Sequence, residues 1–129
     1  EAGAKRALPV AMSVPSHSPL MRGAAEKLGE RLTSIELRMP RVPIVHNFDA
    51  TVANSTLEIA EKLKAQLHNP VRWTQCAEAL GADSINRLAE CGPGKVLCGL
   101  QKRINKTVVA SALTSGDALA ELLASAYQG

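Results

Sequence analysis

Short apolar runs alternate with amphipathic stretches of helical period along this chain, and that alternation limits the fold more than any other feature. Residues 7–14 form an apolar run carrying Pro9 and read as a mostly buried strand. Ser18-Pro19 then supplies a helix start, with serine as cap and proline at the first helical position. Behind it Leu20, Ala24, Leu28, Leu32 and Ile35 share one helical face, while Arg22, Glu26 and Glu30 share another. Pro40 and Pro43 bracket a turn, and residues 42–45 read as a short strand ending near Asn47. Ser55-Thr56-Leu57-Glu58 is a capping box, continued by the stripe Ala60, Leu63 and Leu67 until Asn69-Pro70 ends the helix. Residues 71–80 predict a shorter helix closed by Gly81. A strand over 85–91, a helix over 94–104 and a strand over 107–112 follow, before Ser115 caps a last helix with Leu119, Leu122, Leu123 and Ala126 inside. Leu28, Leu63, Leu88, Leu97, Leu100 and Leu122 are expected to supply the core. Strands that alternate with helices predict an α/β fold, a mostly parallel sheet with flanking helices.

At 129 residues the chain is long enough for one hydrophobic core. Charged residues interrupt every apolar run well before bilayer length, so no membrane span is expected. The stretch after Lys5-Arg6 is short and contains Pro9, which argues against a secretory leader. A net charge of +3 is mild and scattered, and one Trp, one Tyr and one Phe give no stacking platform, so no nucleic-acid partner is expected. Cys76, Cys91 and Cys98 fit no zinc spacing and read as reduced thiols of a cytoplasmic protein. The chain opens on Glu1-Ala2-Gly3-Ala4 without an initiator methionine and runs at once into strand-like sequence, which predicts a piece of a larger protein.

The segment Val14-Pro15-Ser16-His17-Ser18-Pro19-Leu20-Met21 carries the most chemistry. It sets His17 at the carboxyl end of a predicted strand and before a helix, the edge where ligands collect in open α/β sheets. The amino end of a helix disfavours a positive ring, and a neutral imidazole can act as a general base. A loop histidine that is merely solvated fits the same position, and position alone favours that reading over the base. Glu90-Cys91-Gly92-Pro93-Gly94-Lys95-Val96-Leu97 reads as strand, tight turn and helix. It lacks the long glycine loop and the Ser or Thr after lysine that a nucleotide phosphate loop uses, so its glycines serve the chain reversal. His46 and His68 have no carboxylate at ligand spacing, and no metal site is expected. Trp73 reads as a core anchor.

Pro15-Ser16-His17 with Leu20-Met21, then Gln66-Leu67-His68-Asn69-Pro70-Val71-Arg72-Trp73, then Glu90-Cys91-Gly92-Pro93-Gly94-Lys95-Val96-Leu97-Cys98-Gly99-Leu100, occur in that order. Together they resemble the C-terminal portion of the malonyl-CoA:acyl carrier protein transacylases, over nearly the whole chain. The resemblance implies the C-terminal part of an α/β-hydrolase-like acyltransferase domain, residues 15–129. Residues 1–14 would end a small ferredoxin-like subdomain inserted in it. It further implies transfer of malonyl from malonyl-CoA to the phosphopantetheine thiol of acyl carrier protein, through a serine ester and with no cofactor. His17 matches the general base, and Gln66 matches the residue whose backbone carbonyl orients that base. The Gly-x-Ser-x-Gly elbow of the family's nucleophile occurs nowhere in this sequence. The chain alone is therefore expected to be inactive, and either to need the N-terminal part of the same enzyme or to self-associate. An acyltransferase piece from a polyketide synthase, or a non-catalytic piece that binds a carrier protein, are the competing readings.

Overall fold

The computed structural model describes residues 3, 7–9, 12–82 and 85–126, with the side chain of residue 126 left aside. Among the described residues five α-helices and two strands follow one another: α1 (Arg22–Thr33), α2 (Thr56–Gln66), α3 (Trp73–Ala82), β1 (Arg87–Glu90), α4 (Val96–Ile104), β2 (Val109–Ala112) and α5 (Gly116–Ala126). β1 and β2 pair in parallel, Arg87 opposite Val109 and Glu90 opposite Ala112, with α4 as the crossover. This is an α/β arrangement, and α4 and α5 both pack against β2.

The expected strand over 7–14 does not form in the described residues. Residues 10 and 11 lie outside them, and 7–9 and 12–14 are exposed and in no ladder. A strand is stable only beside another, and the two described strands are paired with each other. The short strand expected over 42–45 shrinks to one antiparallel bridge between Val45 and Val52. Pro40 and Pro43 bring no N–H to a ladder, and the chain folds back at once through a turn closed by His46 N to Thr51 O at 2.9 Å.

The first helix starts late. Pro19–Met21 is a 3-10 turn, and the Ser18 hydroxyl donates to Pro15 O at 2.7 Å instead of capping the helix. α2 starts where the capping box places it, with Ser55 Oγ accepting from Glu58 N at 3.1 Å. Glu58, however, reaches back to Asn54 N at 2.8 Å, one residue before the cap. α3 runs on through Gly81, which does not close it. A Cβ at that position would lie 3.0 Å from Asn105 Nδ2, so the glycine permits a close approach of the loop after α4.

Small residues fill the tightest places: Ala25, Ala53, Cys76, Ala77, Cys98 and Val108 are the buried apolar side chains. The leucine core is only partly realised. Leu28, Leu63, Leu88 and Leu122 are half-buried, and Leu97 and Leu100 are exposed. A two-stranded sheet is too narrow to cover both faces of the helices laid against it. Among the described residues no helix is long and apolar enough to cross a membrane.

Candidate active site

His17 sits on a tight loop, not on a strand end, with φ at +60°, a left-handed conformation that costs a branched or bulky residue energy. Ser16 N to Val14 O at 2.8 Å and the Ser18 hydroxyl to Pro15 O close the loop on either side. Two bonds then tie His17 to the carboxyl end of α2, about fifty residues away. Its backbone N–H donates to Leu67 O at 3.0 Å, and its ring Nδ1 lies 2.8 Å from Gln66 O. A carbonyl can only accept, so Nδ1 carries the hydrogen and the neutral ring presents its lone pair at Nε2. The ring is exposed. The end of α2 that it faces is the negative end of the helix, opposite in sign to the helix start expected beside it.

α2 delivers those carbonyls because it ends there. The last carbonyls of a helix have no partner within it. Asn69-Pro70 prevents continuation, and Pro70 has no N–H to offer. Gln66 is the last helical residue, so its carbonyl is free for a side chain from another part of the chain.

Next to this end stands a polar cluster that no sequence pattern singled out. Lys62, on α2 and only 5% exposed, donates to Asp49 and to Thr51, and lies 3.3 Å from Glu58 and 5.7 Å from the Phe48 ring centre. Burial alone would lower the lysine pKa, but its bonds to Asp49 and Glu58 outweigh burial and raise it. Burial likewise pushes Asp49 up, and the hydrogen bonds from Lys62 and Thr51 reverse that and hold it low. Glu58 is held low first by the Asn54 amide and then by Lys62. His46, 7% exposed on the same turn, has its pKa lowered by burial and then by Lys62. The Glu58–Lys62 spacing was the one available signal, since a pair four apart shares a helix face. Nothing in the sequence said that the 46–52 turn would fold over it.

The Glu90–Leu97 turn is occupied from within. Glu90, closing β1, accepts Leu97 N at 3.2 Å and Cys98 N at 2.8 Å, and these amides, the Cys98 one foremost, hold its carboxyl below the ordinary range. An amino end already filled by a carboxylate does not receive a phosphate. Trp73 and the fully buried Gln101 line a cavity of about 110 Å³ with Leu88 and Ala110, consistent with Trp73 as a packing residue. His68 keeps a buried Nδ1 without a partner and is not joined to His17. Among the described residues no group of three or more metal-binding side chains occurs.

No protein-family model matches the chain. The malonyl CoA-acyl carrier protein transacylase of Escherichia coli (strain K12) is 48% identical over 122 residues, 95% of this chain and 40% of that protein. The Bacillus subtilis (strain 168) protein of the same name is 40% identical over 119 residues, 92% of this chain and 38% of its own. The solved malonyl-CoA:acyl carrier protein transacylase of Xanthomonas oryzae has a TM-score of 0.89 at 46% identity, covering 95% of this chain and 39% of that one. A malonyl-transacylase solved with its type II polyketide synthase acyl-carrier protein has a TM-score of 0.86 at 47% identity, covering 92% and 38%. The chain thus spans about two fifths of the length of the relatives it matches. Over that span the chain is similar, by sequence and by fold, to the malonyl CoA-acyl carrier protein transacylases.

Proposed function

We propose that this chain contributes the general base of an acyltransferase that moves malonyl from malonyl-CoA to the phosphopantetheine thiol of an acyl carrier protein. The observation that carries the reading is the His17 Nδ1 contact with Gln66 O, set in a chain 48% identical to such a transacylase. The nucleophilic serine belongs to a longer polypeptide, because this sequence holds no Gly-x-Ser-x-Gly. In the first half-reaction His17 Nε2 takes the serine proton as the oxygen attacks the thioester carbonyl, and returns it to the departing coenzyme A sulfur. In the second half the carrier thiol gives its proton to Nε2 and attacks the serine ester, and the proton then goes back to the serine oxygen. The Gln66 carbonyl does the orienting work that a carboxylate does in a serine triad: it fixes the tautomer that leaves Nε2 free. The carbonyl end of α2 carries partial negative charge that offsets the positive charge the ring gains. No cofactor enters these steps.

Because the backbone of Gln66 carries this role, Gln66→Ala in the serine-bearing polypeptide is expected to keep turnover within about threefold, below the worth of one catalytic proton transfer. Malonyl transfer to holo carrier protein, followed by mass spectrometry of the carrier, measures it. A hundredfold loss with the fold intact would place the Gln66 side chain in the chemistry and overturn this reading of the backbone. The relative that serves a polyketide carrier protein supports a carrier of that class as a second substrate.

We take residues 1–14 as the end of a small ferredoxin-like subdomain and the intact enzyme as cytoplasmic. Taken alone, the 129-residue chain is expected to self-associate or to hold a complementary polypeptide. Leu20, Val42, Leu57 and Val96 are each at least 70% exposed, and uncovered apolar surface of that kind is buried by association. Light scattering on the purified chain should give a mass above one chain. A stable monomer across dilution would contradict the expectation.

A further inference from the structure

We propose that Asn69 is a positioning residue for His17, acting through the terminal turn of α2. The inference rests on the reading of His17 as the base, and its physical part can be tested apart from it. The end of α2 presents four carbonyls, those of Lys64, Ala65, Gln66 and Leu67, and each has an identified donor. Lys64 O accepts from Leu67 N at 3.3 Å, Gln66 O from the His17 ring at 2.8 Å, and Leu67 O from His17 N at 3.0 Å. Ala65 O accepts from His68 N at a long 3.3 Å and from Asn69 Nδ2 at 2.7 Å.

Helices commonly close such an end with a glycine in the left-handed region, whose following amides fold back onto the carbonyls. Here His68, not glycine, follows the C-cap Leu67, and two residues further on Pro70 has no N–H. The backbone therefore holds the last turn weakly, through two bonds of 3.3 Å. The half-buried Asn69 side chain supplies the short bond that keeps the carbonyl row pointing along the helix. Without it the turn frays and the Gln66 carbonyl loses its direction toward the ring. The backbone bond from His17 to Leu67 survives small changes, so the loop stays in place while the ring loses its fixed tautomer.

The test uses the serine-bearing polypeptide labelled with 15N-histidine. In the parent protein the neutral His17 ring should be overwhelmingly the Nδ1–H tautomer. Asn69→Leu, similar in size and without a donor, and Asn69→Ala should each lower the ratio of Nδ1–H to Nε2–H by at least about fivefold. They should also lower kcat about tenfold with KM unchanged, as a misdirected base does. Asn69→Ser, whose hydroxyl can reach the carbonyl four residues back, should restore most of both. A tautomer ratio within twofold of the parent in folded Asn69→Leu and Asn69→Ala would overturn the proposal. So would a loss that Asn69→Ser does not relieve. A shifted ratio with unchanged kcat would uphold the Asn69 tie and instead remove His17 from the reaction.

Discussion

Replacing His17 with alanine in the polypeptide that carries the serine is expected to slow malonyl transfer by about a hundredfold or more, the usual worth of a positioned proton acceptor. The serine would then have to lose its proton to water, and the departing thiolate would have no ready donor. In the proposed mechanism both half-reactions use the same ring, so both should slow together. There the ring moves a proton and does not hold the substrate, so the loss should fall on kcat more than on KM. Rapid-quench mass spectrometry of the malonyl-serine ester reads the first half-reaction directly. Fast esterification in a folded His17→Ala protein would remove the histidine from the chemistry.

Lys62→Met should produce the largest loss of stability among single substitutions near the site. The ammonium is buried and joins Asp49, Thr51 and Glu58, so it pins the 46–52 turn to α2. Its removal leaves two carboxylates side by side with no counter-charge. Breaking a fully buried pair costs about 3–5 kcal/mol, and the partial exposure of Asp49 reduces that to about 2 kcal/mol here. The pH behaviour gives a second readout. Asp49 and Glu58 are held low, so their stabilisation is complete above the ordinary carboxylate range and is lost as pH falls through their lowered values. His46 is also lowered, so its share is lost as pH falls below the ordinary histidine value of about 6.5. The raised Lys62 gives stabilisation that is lost only as pH rises above the ordinary lysine range. In Lys62→Met the carboxylates lose their bound cation, and the acid-side loss of stability should flatten. Urea midpoints from pH 7 to pH 3 measure both effects, and an unchanged midpoint at pH 7 would mean that the cluster holds nothing together.

What could be read in the sequence was what depends on neighbours along the chain. The start of α2 needs only Ser55 and Glu58, three residues apart, and it forms where that spacing places it. The parallel pair β1 and β2 and its α4 crossover follow from two short apolar runs flanking a helical one. The strand expected over 7–14 does not form in its described residues, for the opposite reason. An apolar run states that a segment suits a strand, and pairing needs a second segment that no local pattern names. His17 stood out by position, yet its bond to Gln66 spans 49 residues and entered through the family resemblance alone. The Lys62 cluster was hidden because Lys62 meets Asp49 and Thr51 only after the 46–52 turn folds across α2. Glu90 falls inside the strand expected over 85–91, and its capping of α4 shows only once the Gly-Pro-Gly turn sets strand and helix side by side.

The central claim is that His17, oriented by the Gln66 carbonyl, faces a serine supplied by another segment of a longer polypeptide. The most direct measurement is a crystal structure of that polypeptide, reading the distance from His17 Nε2 to the nucleophilic serine Oγ. The expected result is a hydrogen bond of about 2.6–3.2 Å, or a single bridging water, with Nδ1 still on Gln66 O. A serine oxygen beyond reach of Nε2 even through one water, with another basic side chain against it, would contradict the claim.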